Sequence, residues 1–295
     1  MTREADGQKF QEEIKMKKII TLALILLMVF SMAACGGNND VEAGAPITVI
    51  SREDGSGTRG AFTELMGIAV DDVDHTTQMA EISQSTSVVM TTVAGNKNAI
   101  GYISLGSLND TVKAVNVDGV EPTVANIKAG EYAVSRPFLT VTKGQLTDVA
   151  SDFMAYIMSA EGQAIIAEDG YITVNDNAEA YETKTGLSGR IVIAGSTSVA
   201  PVMQKLADAY KAVNADVTIE IQQTGSGAGI TSTIEGACDI GMSSRDLKAE
   251  ELAKGLDGTT IAMDGIAVIV NNENTVTDLT SEEIRQIFTG EVTEW

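Results

Sequence analysis

The sequence predicts an α/β protein with largely parallel sheets, and three observations lead to this fold class. Strand-like and helix-like apolar segments alternate through most of the chain. Three junctions share one plan, in which a strand is followed by a turn rich in Gly, Ser and Thr and then by a helix. At 295 residues, the chain is long enough for two sheets.

Each element follows from its apolar spacing and its flanking residues. In chain order, the predicted elements are a strand at PITVIS (46–51), a helix at 58–68, a strand at NAIGYISL (98–105), a helix at 146–170, a strand at RIVIAG (190–195), a helix at 201–213, strands at VTIEIQQ (217–223) and IAVIVNN (266–272), and a helix at 281–290. Ser281 is a plausible N-cap of the last helix, and Gly290 closes it. The polar stretch 175–189 is predicted to be a surface linker.

Composition excludes several classes of protein. The chain has 20 Lys and Arg against 41 Asp and Glu, a formal net charge of −21, whereas nucleic-acid binders need a basic surface. A single histidine excludes an HExxH pair or a multi-histidine zinc site, so no metal site or cofactor is expected. Two cysteines cannot build a disulfide framework.

The start of the chain is typical of an exported lipoprotein. Residues 16–35 carry two lysines, a twelve-residue apolar core and small residues before Cys35. The sequence Met-Ala-Ala-Cys resembles a bacterial lipobox, which implies cleavage before Cys35 and lipidation of that residue. Residues 1–34 are then an extension plus a signal peptide, and 35–45 are a tether. The alternative is a secreted chain without lipid.

The three junctions predict an anion site. They are SREDGSGTRGAF (51–62), AGSTSVAP (194–201) and QTGSGAGIT (223–231). A helix start offers free N–H groups and the positive end of its dipole, and Arg52 adds a planar guanidinium. Any one junction alone could simply cap its helix. No Walker loop or GxSxG elbow is present, and GSGAG lacks the dinucleotide-binding spacing.

These residues carry a resemblance to a known family. The segments IAGSTSVAPVM, GSGAGITSTIEG, CDIGMSSRDLK, AMDGIAVIVN, IRQIFTGEVTEW, ISREDGSGTRGAF, NAIGYISLGSL and SRPFLTVTKG resemble the phosphate-binding lipoproteins of bacterial phosphate ABC importers over nearly all of residues 46–295. The resemblance implies a type II periplasmic-binding-protein fold. In that fold two lobes, each a mostly parallel sheet flanked by helices, are joined by two hinge strands.

The segments stand in a rotated order. Family members usually begin with the GSTS strand and reach SREDGSGTR last, whereas here the second part comes first. This predicts a circular permutation in which 175–189 joins the two usual ends; a truncated or rearranged gene is the alternative. Placed on this chain, lobe A is 105–272, lobe B is 46–104 plus 273–295, and the crossings lie near Ile103–Leu108 and Val270–Asn274.

The resemblance also implies ligand residues. The implied phosphate ligands are Arg52, Ser56, Gly57, Thr58, Thr197, Ser198, Ser226 and Ser244. Asp54 would orient Arg52. In several family members an aspartate at the position of Ser244 accepts the proton of hydrogenphosphate and so excludes sulfate. With serine there, discrimination would rest on Asp54, on a backbone carbonyl or on nothing.

The expected function is capture of inorganic phosphate by a monomer anchored to the outer face of the cell membrane, for delivery to the permease and ATPase subunits of an ABC importer. One alternative is another oxyanion, such as sulfate. A second is a phosphate sensor or adhesin on the same scaffold. An enzyme using Ser56 or Ser226 as nucleophile is disfavoured because His75, the single histidine, lies in a polar stretch.

Overall fold

A computed structural model of the protein describes residues 44–71 and 73–295. The predicted signal peptide (1–34) and the predicted lipidation residue, Cys35, lie outside these residues, so both stay predictions. Within the two described ranges, no helix combines the length and the apolar character needed to cross a membrane.

Strands and helices alternate along the described chain. The first elements are β1 (Thr48–Arg52), α1 (Gly57–Leu65), β2 (Ala69–Val70), β3 (Val73–Asp74), β4 (Glu81–Ser83), α2 (Thr86–Ala94), β5 (Ala99–Ser104), a 3-10 turn (Leu105–Ser107), β6 (Lys113–Ala114), β7 (Asn116–Val117), α3 (Val124–Lys128), β8 (Ser135–Lys143), α4 (Asp148–Met158) and α5 (Ala160–Glu168). They continue with β9 (Ile172–Thr173), β10 (Gly189–Gly195), α6 (Ala200–Val213), β11 (Val217–Gln223), α7 (Ser226–Glu235), β12 (Ile240–Ser243), α8 (Ala249–Leu252), β13 (Leu256–Val270), β14 (Asp278–Leu279) and α9 (Ser281–Thr289). The predicted α/β class is confirmed.

One ten-stranded sheet contains two parallel groups. Its strand order is β11-β10-β12-β8-β13-β5-β1-β4, with β6 and β9 each paired to β13. Strands β11, β10 and β12 are parallel at one end of this order, and β5, β1 and β4 are parallel at the other. Between them, β8 and β13 are antiparallel to each other and to their outer neighbours. Two parallel sheets are therefore joined through a pair of long antiparallel strands.

The hydrophobic side chains form two main cores, one for each parallel group. The first core includes Phe138, Ile193 and Met203, and the second includes Phe62 and Phe288. Strand β13 belongs to both, because its first part supplies residues to the first core and its last part supplies residues to the second. The two parallel groups therefore lie on either side of the paired strands β8 and β13.

The predicted lobe boundaries stay a prediction, but the packing favours different crossing points. Val115, Val117 and Tyr132, which were assigned to lobe A, pack in the second core with the residues assigned to lobe B. The switch from one core to the other along β13 comes between Ala262 and Ile266, earlier than the predicted crossing.

Two predicted helix ends differ from the structure. The single helix expected over 146–170 is divided at Ser159, which has an extended backbone and whose side chain caps the second part, α5. The N-cap of α9 is Thr280 rather than Ser281, because the Thr280 hydroxyl accepts a hydrogen bond from the Glu283 N–H and the Glu283 carboxylate accepts one from the Thr280 N–H. Closure of this helix at Gly290, in the left-handed region with φ of 81°, is confirmed.

The linker 175–189 is tied to the first core. The Tyr181 hydroxyl donates to Asp152 Oδ2 at 2.5 Å, and Lys184 Nζ lies 3.0 Å from Asp152 Oδ1. The Asp152 side chain is 1% exposed. Most of the linker remains on the surface, as predicted, but these two contacts fix its course.

The first and last described segments pair with each other. The Gly44 N–H donates to the Trp295 carbonyl at 2.9 Å, and the Trp295 N–H donates to the Ala45 carbonyl at 2.9 Å. The Trp295 indole donates to the Asn98 carbonyl at 3.0 Å. The segment that ends at Trp295 and the strand that begins near residue 46 are therefore neighbours, as the predicted permutation requires.

Candidate anion-binding site

The turn between β1 and α1 delivers a charged side chain and a helix start to the same place. Arg52 ends the parallel strand β1, and its side chain is 2% exposed. Gly55 then takes a φ of 80°, a left-handed conformation that glycine adopts without strain. The Ser56 hydroxyl accepts a hydrogen bond from the Arg59 N–H, so Ser56 is the N-cap and α1 begins at Gly57.

The starts of four helices converge on this turn. Thr58 Oγ1, in the first turn of α1, lies 2.9 Å from Ser198 Oγ before α6. Thr86 Oγ1, at the start of α2, lies 3.1 Å from the same Ser198 oxygen. The start of α7 also lies against the start of α1. A Cβ built on Gly57, the first residue of α1, would lie 2.4 Å from the Oγ of Ser226, the first residue of α7. Four positive dipole ends and their first N–H groups thus face one small region.

Arg52 lies within this group of hydroxyls. Its Nη2 donates to Thr197 Oγ1 at 3.1 Å, and its Nη1 donates to Thr86 Oγ1 at 3.4 Å. The residues Thr58, Thr86, Thr197 and Ser198 are named here the hydroxyl cluster; each is at most 6% exposed. A buried guanidinium surrounded by neutral hydroxyls and helix starts is well suited to an oxyanion.

The prediction that Asp54 orients Arg52 is wrong. The Asp54 side chain is 98% exposed and pairs with Arg59 Nη1 at 2.8 Å. Glu53 takes that place, because Arg52 Nε and Nη2 donate to its two carboxylate oxygens, each at 2.8 Å. The physical reason is the turn, which begins at Asp54 and directs that side chain to solvent while Glu53 stays beside the strand end.

A second group of side chains, here the serine cluster, comprises Ser196, Ser226 and Ser244. Ser196 Oγ donates to Ser244 Oγ at 3.0 Å, and the Ser244 N–H donates to Ser226 Oγ at 3.2 Å. All three residues are at most 2% exposed. A Cβ on Gly57 would lie 2.7 Å from Ser244 Oγ, so this cluster adjoins the start of α1.

A buried ion pair supports the serine cluster from the middle of the sheet. Arg136 on β8 and Asp264 on β13 are 2% and 1% exposed, and Arg136 Nη2 donates to Asp264 Oδ2 at 3.1 Å. Arg136 Nη1 also donates to the Ser244 carbonyl at 3.2 Å, and Ser104 Oγ donates to Asp264 Oδ1 at 3.0 Å. Burial raises the pKa of Asp264 to about 6, against the lowering effect of Arg136. Burial also lowers the pKa of Arg136.

The two parallel groups touch at a backbone contact beside the site. The Gly227 N–H in α7 donates to the Gly55 carbonyl at 2.8 Å, across from one parallel group to the other. A Cβ on Gly227 would lie 3.2 Å from both Cα and O of Gly55. Only glycine permits so close an approach without displacement of one of the two backbones.

All eight predicted ligand residues lie in this region, while their role as ligands stays a prediction. Sequence reasoning missed Glu53, Thr86, Ser196 and Arg136. A signal for Thr86 exists in the sequence Ser-Gln-Ser-Thr-Ser, a hydroxyl-rich helix start of the same kind as the other three. Ser196 lies inside the quoted GSTS motif. Nothing local indicates Arg136, whose partner Asp264 is 128 residues away.

The structure shows no cluster of three or more His, Cys, Asp and Glu side chains placed to hold a metal ion within residues 44–71 and 73–295.

Comparison with known proteins identifies the class to which this fold and site belong. The family model of the PBP superfamily domain matches residues 37–161 and 180–295. The chain is 48% identical over 290 residues to the phosphate-binding protein PstS 2 of Streptococcus agalactiae, covering 96% of this chain and 98% of that protein. It is 45% identical over 289 residues to PstS 2 of Streptococcus pneumoniae, covering 96% and 99%. The chain therefore belongs to the PBP superfamily and, within it, to the family of the phosphate-binding proteins PstS.

A solved structure supports the same conclusion. The crystal structure of a phosphate ABC transporter phosphate-binding protein from S. pneumoniae superposes with a TM-score of 0.68 at 46% identity, covering 84% of this chain and 98% of that one. Each sequence match runs in one direction over nearly all of both chains. These relatives therefore carry their segments in the same order as this chain, and the rotated order is shared within the family.

Proposed function

We propose that this protein is an extracytoplasmic receptor that captures inorganic phosphate for an ABC importer. The observation that carries the proposal is the convergence of four helix starts and two hydroxyl-bearing clusters on the buried guanidinium of Arg52. Such a site holds an oxyanion through dipoles and hydrogen bonds, without a full counter-charge. The names of the relatives, phosphate-binding proteins, support phosphate as the oxyanion.

Each predicted ligand has a defined part in this proposal. Arg52 makes the charged contact and Thr197 adds a hydroxyl to it. Thr58 and Ser198 hold oxygens at the starts of α1 and α6. Gly57 supplies a main-chain N–H group and Ser56 its hydroxyl, since the Ser56 N–H already donates to the Glu53 carbonyl. Ser226 and Ser244 complete the cage from the side of the parallel group β11-β10-β12.

The same arrangement supports binding between two lobes. Thr197, Ser198, Ser226 and Ser244 lie on or next to the parallel group β11-β10-β12 and the helices packed against it, whereas Arg52 and the start of α1 lie with the group β5-β1-β4. An anion that contacts both groups stabilises the closed arrangement because only that arrangement makes all the contacts. The crossings between the lobes are proposed near Ser135 on β8 and Asp264 on β13.

Partners and location follow from the same proposal. The receptor delivers phosphate to the permease and ATPase subunits of the importer, as a monomer with lipid on Cys35 that holds it to the outer face of the membrane. The membrane side of the proposal is tested by labelling cells with a radioactive fatty acid. Label on the natural chain and its loss in Cys35→Ala are expected; label retained in the variant would contradict the anchor.

Titration of the phosphate-free full chain with inorganic phosphate tests the central function. We expect one phosphate bound per chain and no release of product from phosphomonoesters or esters. Absence of saturable phosphate binding would contradict the proposal, and steady hydrolysis would replace it with an enzyme.

A further inference from the structure

We propose that Arg136 and Asp264, which lie behind the anion site, set its affinity for phosphate. Arg136 positions the serine cluster and adds positive charge to the site, and the Asp264 carboxylate offsets that charge. Asp264 therefore weakens phosphate binding whenever it is ionised. The inference rests on the proposed function and adds to it two residues that act on the anion without being its ligands.

The Arg136–Asp264 pair lies where the two parallel groups of the sheet meet. Arg136 on β8 and Asp264 on β13 are register partners in the antiparallel pairing of these strands. On either side of Asp264 along β13, Ala262 packs in the first core and Ile266 in the second. The pair is therefore placed to act on elements from both sides of the site.

Hydrogen bonds continue from this pair to both parallel groups. Arg136 Nη1 donates to the carbonyl of Ser244, the residue directly after β12, at 3.2 Å. Ser104, the last residue of β5, donates from its Oγ to Asp264 Oδ1 at 3.0 Å. Arg136 Nε and Nη2 both donate to Asp264 Oδ2, at 3.3 and 3.1 Å. Arg136 thus connects Asp264 directly to a residue of the serine cluster.

Ser244 is the residue through which Arg136 acts on the site. The Ser244 N–H donates to Ser226 Oγ at 3.2 Å, and the Ser244 hydroxyl accepts a hydrogen bond from Ser196 Oγ at 3.0 Å. Arg136 holds the carbonyl of the same residue, so it fixes the orientation of hydroxyls that we propose as phosphate ligands. Arg136 is therefore a positioning residue, and its loss should loosen the serine cluster.

The charge of Arg136 also reaches the site. Burial lowers the pKa of Arg136 against the raising effect of Asp264, and the charge of Arg52 lowers it further. Both guanidiniums are 2% exposed, so water and salt screen their fields poorly. An anion held by Arg52 is therefore also attracted by Arg136.

Asp264 offsets this attraction when it is ionised. Of the groups around its carboxylate, Arg136 is charged, whereas the Ser104 hydroxyl and the Gly106 N–H are neutral donors. Tyr171 is neutral as well, because burial raises the pKa of its hydroxyl. Burial raises the pKa of Asp264 to about 6, so the carboxylate loses its charge in moderately acidic solution. The charge of Arg136 then acts on the anion without being offset.

Asp264→Asn tests the charge with little change of shape. The phosphate-free full chains are titrated calorimetrically with inorganic phosphate between pH about 5 and about 8. The matched control is Asp152→Asn, because Asp152 is equally buried, at 1% exposed, but pairs with Lys184 of the linker. At pH about 8 we expect Asp264→Asn to bind phosphate about tenfold more tightly than the natural chain, as for removal of one nearby buried charge. Asp152→Asn should bind as the natural chain does.

The pH dependence distinguishes an effect of charge from an effect of packing. The ratio of the Asp264→Asn affinity to the natural affinity should fall towards one as the pH decreases to about 5, because the natural carboxylate is then protonated. Changes in the charge of phosphate itself affect both chains alike and cancel in this ratio. Unchanged or weaker binding by Asp264→Asn at pH about 8, or a ratio that does not vary with pH, would overturn the inference.

A double variant, Arg136→Met with Asp264→Asn, tests the role of Arg136 and leaves no charge buried alone. We expect it to bind phosphate about five- to tenfold more weakly than the natural chain, because the Ser244 carbonyl loses its donor. Equal or tighter binding by this variant would overturn the role of Arg136, whether or not the single variant folds. Failure of the natural chain to bind phosphate at all is a separate result, which contradicts the proposed function itself.

Discussion

Arg52 is a buried cation held by three side chains, one carboxylate and two hydroxyls. The Glu53 carboxylate receives two of its hydrogen bonds, and the hydroxyls of Thr86 and Thr197 receive others. Loss of this guanidinium removes the charged donor proposed to bind the anion. It also leaves Glu53 as an uncompensated carboxylate beside the site, and both changes disfavour an anionic ligand.

For this reason Arg52→Ala should weaken phosphate binding by about 1.5–3 kcal/mol, roughly ten- to hundredfold, in calorimetric titration. The control is Arg285→Ala, which removes an arginine of α9 that pairs with Glu282 and Glu291 on the surface. Equal affinities in the natural chain and in Arg52→Ala would refute the placement of the anion.

The Arg136–Asp264 pair should make the unfolding free energy of the protein depend on pH. The pKa of Asp264 is about 6 in the folded chain, above the value of about 3.9 for an unfolded aspartate. The folded chain therefore holds more protons between these two values. The resulting stabilisation is complete below pH about 4 and is lost as the pH rises through about 6.

We therefore expect the natural chain to lose unfolding free energy relative to Asp264→Asn as the pH rises from about 4 to about 7. Denaturant unfolding in phosphate-free buffers measures this difference. Asp152→Asn is the contrasting control, because hydrogen bonds from Tyr181, Lys184 and Tyr210 lower the pKa of Asp152 although burial raises it. For this residue we expect the natural chain to lose unfolding free energy relative to Asp152→Asn as the pH falls. A flat difference for Asp264→Asn would contradict the expectation.

At the scale of elements, the site is made by the starts of helices rather than by any one loop. Helix α7 shows this clearly, since its second residue, Gly227, donates its N–H to the Gly55 carbonyl before α1. The contact joins α7, which packs against β10 and β12, to the turn before α1, so we assign it to the closed arrangement that we propose. It constrains closure without contributing to the interior of either core.

Gly227→Ala should separate the thermal stability of the phosphate-free chain from its affinity for phosphate. Alanine is the better helix former, by at most about 1 kcal/mol, so thermal stability without phosphate should stay the same or rise. The new Cβ, 3.2 Å from Gly55, should keep the backbones apart and weaken phosphate binding. Thr231→Ala, an exposed position of the same helix, is the control and should leave binding unchanged. Unchanged phosphate affinity in Gly227→Ala would contradict a closing role for this contact.

Most elements could be predicted from the sequence because their apolar periodicity is local, as in β10, β11 and α6. Strand β8 contains Pro137, and its pairing with β13 depends on residues more than a hundred positions away. Helix α2 was missed because its Thr-rich sequence has little helical preference, and Ser85 caps it. For the site, the junction motifs predicted the helix starts. The choice between Glu53 and Asp54 depends on the path of a turn, which sequence spacing does not specify.

At the scale of the whole molecule, two sets of contacts show how the rotated order of segments is accommodated by the fold. The ends of the described chain are paired at Ala45 and Trp295, and the linker is held by Tyr181 and Lys184 on Asp152. Residues 44 and 295 are therefore close enough to be joined, and the linker 175–189 already connects the other pair of segments. A chain with either connection can form the same two cores.

A second permutation tests whether the connections between segments can be exchanged without loss of the fold or of phosphate binding. Residue 295 would be joined to residue 44 by a short Gly-Ser linker, and the chain would be opened between Thr185 and Gly186, both exposed. We expect this variant to fold and to bind phosphate within about threefold of the natural affinity, because no contact of the site is altered. A matched variant opened inside β13 should fail to fold. Loss of binding in the first variant would contradict the expectation.

Strand β13 passes through both cores without a break, and this limits how a gene for such a protein can change. A fragment that encoded either half would stop in the middle of a strand and would expose the apolar face of the half that remained. We therefore expect neither half to fold alone. The rotated order of this chain leaves β13 intact, as a rearrangement that cut and rejoined surface loops would.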